Sequence, residues 1–236
     1  LVYGLRRDGL LPSYAFASES VSLDIMGYSE IKNLKPGEAI FIDRQRALHK
    51  KIVAAPSHHP CLFEWVYFAR PDSIIDKVNV YKCRVNLGRS LAADIRRRKL
   101  AIDVVVPVPD SARDAAIEIA RRLNLKYSEA LVKNRYIGRT FIMPADGKRK
   151  SSVRQKLNPI ASEIRGKKVL LVDDSIVRGN TSKAIIEMLR EAGARKVYFA
   201  SYSPPLRHPC VYGIDMQTKT EFVAQDADEA AVARRI

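Results

Sequence analysis

One stretch, residues 169–182, constrains the fold more than any other part of the chain. It opens with the apolar run Val-Leu-Leu-Val, which has the length and composition of a buried parallel strand. Two carboxylates, Asp173 and Asp174, follow the run and lead into a short polar loop. Beyond the loop, apolar residues recur at the spacing of one buried helical face. The order strand, polar loop and helix predicts a unit of an α/β fold with a parallel sheet.

The loop has the composition of an anion site. Its members are Ser175, Ile176, Val177, Arg178, Gly179, Asn180, Thr181 and Ser182. The first N–H groups of a helix carry partial positive charge, and a glycine lets a ligand approach the backbone closely. The two acids instead suit a cation or a hydroxyl-rich sugar. 5-Phosphoribosyl 1-pyrophosphate (PRPP) offers a phosphate, vicinal hydroxyls and a metal-bound pyrophosphate together. The alternative is a solvated acidic pair followed by an ordinary helix cap.

A second strand and helix pair lies upstream. Residues 103–110 form another apolar strand pattern, and residues 112–123 have one apolar helical face. Repeated strand–helix units predict a parallel sheet, in which ligands bind beyond the carboxyl ends of the strands. Ser111 and the Asp173–Asp174 pair both fall at such ends. Capping of the following helix is the alternative role for Ser111.

The sequence VLLVDDSIVRGNTS resembles the PRPP-binding motif of type I phosphoribosyltransferases, and its Ser-Ile-Val-Arg-Gly form resembles the glutamine PRPP amidotransferase family. CLFEWVYFARPDS (61–73), KNRYIGRTFI (133–142) and residues 204–215 extend the resemblance. It implies a phosphoribosyltransferase domain over residues 56–236, truncated at its C-terminal end. It also implies that residues 1–55 are a β-rich remnant of an N-terminal-nucleophile glutaminase domain.

The resemblance also implies an activity and a site. The activity is that of a pentosyltransferase, in which ammonia displaces pyrophosphate from PRPP to give 5-phosphoribosylamine, the first step of de novo purine biosynthesis. Asp173 and Asp174 are expected to bind the ribose hydroxyls and, with Ser111, to hold Mg²⁺. Residues 175–182 are expected to hold the 5-phosphate.

A basic segment between residues 133 and 159 is expected to close over the substrate. Its cations are Lys133, Arg135, Arg139, Lys148, Arg149, Lys150, Arg154 and Lys156. In the family such a loop folds over PRPP and excludes water, and Lys133, Arg135, Tyr136 and Arg139 are therefore assigned catalytic roles by resemblance. The alternative is a solvated basic loop that touches RNA.

The N-terminal part bears on the source of ammonia. Residues 17–38 resemble the closing part of the family's glutaminase domain, whose nucleophile is an N-terminal cysteine. No cysteine precedes Cys61, so we expect no glutaminase activity from this chain alone. The ammonia would be free ammonia or the product of a separate glutaminase part.

Two His-Pro-Cys triplets raise the question of a metal. His59, Cys61, His208 and Cys210 suggest a zinc site from chemistry alone, although proline between two ligands is an unusual spacing. The resemblance instead implies that Cys61 and Cys210 match two ligands of an iron–sulfur cluster. The other two belong to a Cys-x-x-Cys pair further along, so a complete [4Fe-4S] cluster requires that part as well.

Charge and hydropathy bear on the partners and the location of the protein. The formal charge of +15 suggests nucleic-acid binding, but the basic residues are spread over many predicted helices, so we expect no nucleic-acid partner. No apolar run has the length of a membrane span and the start lacks a signal layout, which favours a cytoplasmic protein without a membrane partner. The family forms multimers, which implies a homo-oligomer.

Two rival functions share the central motif. A base-salvage phosphoribosyltransferase has no reason to carry CLFEWVYFARPDS. A PRPP-sensing regulator that binds DNA would show a helix-turn-helix signal before the sheet and would not need a closing loop.

Overall fold

The chain forms two units, Leu1–Arg84 and Val85–Ile236. The computed structural model describes residues 1–9, 11–54, 57–134, 136, 153–212 and 218–236. The division between the units falls inside helix α2 (Val80–Arg97). The predicted domain boundary between residues 55 and 56 lies earlier in the chain and stays a prediction.

The N-terminal unit is rich in β-structure, as predicted. Strands β1 (Val2–Arg6), β2 (Ser13–Ala17) and β3 (Ser29–Asn33) form an antiparallel sheet in the order β2-β1-β3, and helix α1 (Ser20–Ile25) connects β2 to β3. The buried residues Val2, Tyr3, Leu5, Val21 and Leu23 form part of its core.

Two hairpins complete this unit. The first pairs β4 (Glu38–Ile42) with β5 (Leu48–Ile52), and the second pairs β6 (Ile74–Ile75) with β7 (Val78–Asn79). A π-helical turn, Glu64–Phe68, lies between them. The dense apolar composition of residues 61–73 predicts a mostly buried segment, but this prediction is only partly met: Val66 is buried, whereas Leu62 is 40% and Phe68 43% exposed.

The C-terminal unit contains the predicted parallel sheet. Its strands are β8 (Val104–Pro107), β9 (Lys126–Tyr127), β12 (Lys168–Asp173) and β13 (Lys196–Ser201), in the order β13-β12-β8-β9. All three pairings are parallel. The α/β class with a parallel sheet is confirmed.

Helices pack against the two central strands. Helix α3 (Arg113–Leu123) contacts β8, and α5 (Asn180–Glu191) packs on β12. Further helices are α2, α4 (Ala161–Ile164) and α6 (Glu229–Arg235), and a 3₁₀ turn lies at Lys219–Glu221. Alternate residues Val169 and Leu171 pack in one cluster with Ile185 and Leu189 of α5. Leu170, which points the other way, is also buried. Burial on both faces explains why these strands read as continuous apolar runs.

A short antiparallel ladder closes the ends of the predicted basic loop. Strand β10 (Leu131–Lys133) pairs with β11 (Leu157–Pro159), and the N–H of Asn134 donates to the carbonyl of Lys156 at 2.7 Å. The two ends of the segment are therefore fixed beside each other.

Three local sequence patterns differ from the structure. The apolar stretch 195–203 has the composition of a buried strand, but β13 is at the edge of the sheet and only Ala200 within it is buried. The alternation in YKCRV (81–85) predicts a strand, but Cys83 lies in α2. Helix α5 begins at Asn180 rather than after Ser182, so Thr181 and Ser182 belong to its first turn.

Candidate functional site

The carboxyl ends of β8, β12 and β13 bring distant polar residues together. In the register of the sheet, Val172 pairs with Pro107 and Asp173 pairs with Ser201. The residues that follow each strand therefore meet at one edge of the sheet, where open parallel sheets bind their ligands. Ser111 and the two aspartates are close together, as the sequence predicts.

Asp174 is held between two hydroxyl groups. The Ser111 hydroxyl donates to one carboxylate oxygen of Asp174, and the Ser175 hydroxyl donates to the other. Its carbonyl oxygen accepts from the Ser203 N–H at 2.9 Å and from the Ser201 hydroxyl at 3.1 Å. Both the side chain and the backbone of Asp174 are thus oriented by neighbouring strand ends.

Asp173 is buried beside Asp174, with 7% and 8% of their surfaces exposed. Burial, and then the charge of Asp174, raise the pKa of Asp173 well above its ordinary value. The Asp174 N–H donates to an oxygen of Asp173 at 2.9 Å and opposes this shift. A buried pair of acids favours a proton, a cation or hydroxyl donors, which is the chemistry expected of a magnesium and sugar site.

Three residues at the end of β13 belong to this cluster, although the sequence reasoning missed them. The Tyr202 hydroxyl donates to the Ser111 carbonyl at 3.0 Å, and the Tyr202 N–H donates to the Asp173 carbonyl at 3.2 Å. Ser201 and Ser203 contact Asp174 as described above. The rule that predicts sites at strand ends would have found them had it been applied to the third strand as well.

The segment predicted to bind the phosphate, residues 175–182, consists of a loop and the first turn of α5. We name the loop, residues 175–179, the phosphate loop; it runs from Asp174 to α5. Gly179 is the N-terminal cap of this helix, with φ +80° and ψ −15°, a conformation that favours glycine. The first intrahelical bond is donated by Lys183 to the Gly179 carbonyl at 2.9 Å. The N–H groups of the first turn, which includes Asn180, Thr181 and Ser182, have no earlier carbonyl within the helix to bind. These N–H groups can bind an anion. The guanidinium of Arg178, in contrast, is paired with Glu221.

Only some of the predicted catalytic residues of the basic segment are among the residues that the structure describes. Lys133 lies at the end of β10, with its ammonium 2.9 Å from a carboxylate oxygen of Asp110. Tyr136 is 99% exposed. Arg135 and Arg139 lie outside the described residues. Lys133 is thus the member of this set that the structure places beside the strand ends.

The cysteines do not form a metal centre that the structure describes. Cys61 and Cys210 are free thiols of intermediate exposure in different units of the chain. Within residues 1–9, 11–54, 57–134, 136, 153–212 and 218–236, no group of three or more histidine, cysteine or acidic residues is arranged to hold a metal ion. The iron–sulfur and zinc assignments stay predictions.

Comparison with known proteins defines the class. The family described as the phosphoribosyl transferase domain matches residues 79–203, which include the strand ends and the phosphate loop. The chain belongs to this family.

The relatives indicate a particular branch. An amidophosphoribosyltransferase from Pseudomonas aeruginosa is 52% identical over 239 residues, covering 100% of this chain and 48% of the relative. The structure of the allosteric regulatory enzyme of purine biosynthesis covers 99% of this chain and 49% of its own, with 39% identity and a TM-score of 0.83.

The structure of glutamine PRPP amidotransferase from B. subtilis, complexed with ADP and GMP, covers 99% of this chain and 50% of its own, with 39% identity and a TM-score of 0.81. The resemblance predicted from the sequence is confirmed. The chain spans about half the length of the curated relatives that it matches.

In the parts of the chain that the structure describes, no helix combines the length and apolar character needed to cross a membrane.

Proposed function

We propose that this chain carries the phosphoribosyl transfer step of an amidophosphoribosyltransferase, in which ammonia displaces pyrophosphate from PRPP. The observation that supports this most strongly is the Ser111–Asp174 contact. It joins the ends of two separate strands at one cluster of acids and hydroxyls, directly beside the glycine-capped start of α5.

The substrate would be held at both ends. The backbone N–H groups at the start of α5, with the Thr181 and Ser182 hydroxyls, would bind the 5-phosphate. Asp173 and Asp174 would accept hydrogen bonds from the ribose hydroxyls. C1 of the ribose would then be fixed between the phosphate loop and the strand ends, which supports reaction by positioning.

The reaction breaks the bond between C1 and the pyrophosphate oxygen, whose electron pair leaves with pyrophosphate. The nitrogen lone pair of ammonia forms the new C1–N bond, and a proton is lost to solvent to give 5-phosphoribosylamine. Lys133, beside the strand ends, would offset charge on the departing pyrophosphate. Arg135, Tyr136 and Arg139 complete the proposed closing segment, which would exclude water.

The site has the donor set for magnesium. Protein sites for this ion use one or two carboxylates together with substrate phosphates, and Asp173, Asp174 and the Ser111 hydroxyl supply such oxygens. Bound there with PRPP, the ion would neutralise negative charge on the pyrophosphate. Other expectations stay predictions. They are a [4Fe-4S] cluster that includes Cys61 and Cys210, a homo-oligomer, a separate glutaminase part, the absence of a nucleic-acid partner and a cytoplasmic location.

A comparison of nucleophiles tests the proposal. The chain is incubated with Mg²⁺ and PRPP together with ammonia, glutamine, or each of the purine bases, and products are identified by mass. We expect 5-phosphoribosylamine with ammonia. Formation of a purine nucleotide would identify a salvage enzyme, and PRPP binding without pyrophosphate release under any condition would identify a receptor.

A further inference from the structure

The phosphate loop is contacted by a segment that follows the residues matched by the family. We name residues 221–227 the brace; the match to the phosphoribosyl transferase domain ends at residue 203. The N–H of Val223, in the brace, donates to the carbonyl of Val177, in the phosphate loop, at 2.9 Å. The backbone of the loop is thus tied to the C-terminal part of the unit.

An ion pair lies beside this backbone contact. The Arg178 Nε donates to the Glu221 carboxylate at 3.0 Å, and a terminal nitrogen of the same guanidinium donates to the same oxygen. The two side chains are 29% and 38% exposed. A charged hydrogen bond in this partly enclosed position restricts the loop more than a pair in open solvent would.

The brace also packs against the turn of the loop. A Cβ built on Gly179 would lie 2.8 Å from Cγ2 of Ile236 and 3.4 Å from Cγ2 of Val223. The backbone of Gly179 is therefore in direct contact with the brace and with the end of α6. This contact is independent of the ion pair and acts on the residue that begins α5.

The brace is itself fixed. Phe222 and Ala224 are each 3% exposed. Arg235 donates to the Val223 carbonyl at 2.7 Å, and Arg207 donates to the carbonyls of Ala224 and Ala227 at 3.2 and 3.1 Å. A segment held this way can impose its own geometry on the loop that it contacts.

We propose that Glu221 is a positioning residue, which acts through Arg178 to hold residues 177–179 in the conformation that binds the 5-phosphate. The inference rests on the proposed function, because it assigns the loop to the phosphate of PRPP. A loop fixed before binding loses less conformational entropy when the ligand arrives. The brace therefore acts on the 5-phosphate end of the substrate and leaves the pyrophosphate end unaffected.

Calorimetry with three probes tests this proposal on the full chain: Mg²⁺ with PRPP, ribose 5-phosphate, and Mg²⁺ with pyrophosphate. In Glu221→Gln we expect the Kd of PRPP and of ribose 5-phosphate to rise by the same factor, about fivefold, as for the loss of one partly exposed ion pair. The Kd of pyrophosphate should not change. Hydrogen exchange of the amides of residues 177–179, measured without ligand, should become faster.

Matched variants separate positioning from folding. Glu229→Gln removes a carboxylate that pairs with Arg98 in the same unit and should leave all three affinities unchanged. Arg178→Glu combined with Glu221→Arg should restore most of the affinity. Unchanged ribose 5-phosphate affinity in Glu221→Gln, or an equal loss for all three probes, would overturn the inference. A wild-type chain that binds neither PRPP nor ribose 5-phosphate would overturn the proposed function. Unchanged amide exchange in Glu221→Gln would independently overturn the positioning role of Glu221.

Discussion

The ammonium nitrogen of Lys133 lies 2.9 Å from a carboxylate oxygen of Asp110. This pair joins the strand that opens the basic segment to the turn that follows β8. Asp110 is also 3.1 Å from a guanidinium nitrogen of Arg113, so its carboxylate is shared by two cations. The contact places Lys133 at the same sheet edge as Ser111 and supports its proposed role at the pyrophosphate.

Replacement of Lys133 tests that role. We expect Lys133→Met to lower turnover at saturating PRPP about a hundredfold, because a charge that stabilises the leaving group is lost. The free energy of unfolding should change by less than about 1 kcal/mol, since both side chains of the pair are half exposed. Lys126→Met, which removes a similar pair with Glu163 at 2.7 Å, is the control. Equal turnover in both variants would contradict the role.

Gly179 provides a test of the phosphate loop. Gly179→Ala adds a Cβ at φ +80°, where it meets Ile236, whereas Gly166→Ala adds one at φ +74° with nothing within 4 Å. Backbone strain alone costs about 1–2 kcal/mol. We therefore expect both variants to lose that stability in urea denaturation, and Gly179→Ala to lose PRPP affinity in addition. The interpretation fails if Gly166→Ala weakens PRPP binding as much.

Glu118 makes stability depend on pH in the acid range. Hydrogen bonds from Arg122, which has the largest effect, and from Arg121 and Arg89 lower the pKa of Glu118 from 4.5 to about 2, although burial acts in the opposite direction. Because this pKa is lower in the folded protein than in the unfolded chain, the ionised carboxylate stabilises the fold at pH values above the pKa of the unfolded chain. This stabilisation should be complete above about pH 4.5 and lost as the pH falls towards about 2.

Unfolding measured against pH checks this expectation. The difference in unfolding free energy between wild type and Glu118→Gln should be largest near neutrality and should shrink between pH 4.5 and 2. Glu229→Gln, at an exposed position, is the control. A constant difference across that range would show that the carboxylate of Glu118 does not contribute as a charge.

Arg84 supports the N-terminal unit from within. It is 3% exposed, and its guanidinium donates to the carbonyls of Trp65 and Ala69 at 2.9 Å and of Tyr67 at 3.4 Å. We expect Arg84→Met to destabilise the fold by about 3 kcal/mol, because buried carbonyls lose their donors. Arg84→Lys should recover little, since an ammonium lacks the planar fork. Chemical denaturation measures the unfolding free energy of both variants, and Arg97→Met, at an exposed position on the same helix, is the control. Equal stability of the two Arg84 variants and wild type would contradict the role of Arg84.

The sequence predicts the central unit well because its determinants are local. An apolar run flanked by polar turns indicates β12 and β8, and parallel pairing then brings Ser111 to Asp174. The start of α5 is harder to predict, because Asn180, Thr181 and Ser182 have the composition of a loop although they form the first turn of the helix.

Contacts between distant segments could not be predicted in the same way. The Tyr202–Ser111 and Glu221–Arg178 contacts depend on how the chain returns to the site, and no periodic pattern in either segment encodes that return. The pattern around Cys83 is ambiguous for a related reason, because its short apolar–polar alternation resembles a strand while the wider spacing of apolar residues fits α2.

The most direct test of the proposed reaction is pyrophosphate release from PRPP with Mg²⁺ and ammonia at alkaline pH. The wild-type chain is compared with Asp173→Asn combined with Asp174→Asn, and with Lys126→Met as a folded control. We predict ammonia-dependent release by wild type and the control, and none by the double variant, whose circular dichroism should match wild type. Equal release by the double variant, or none by a folded wild-type chain, would contradict the account.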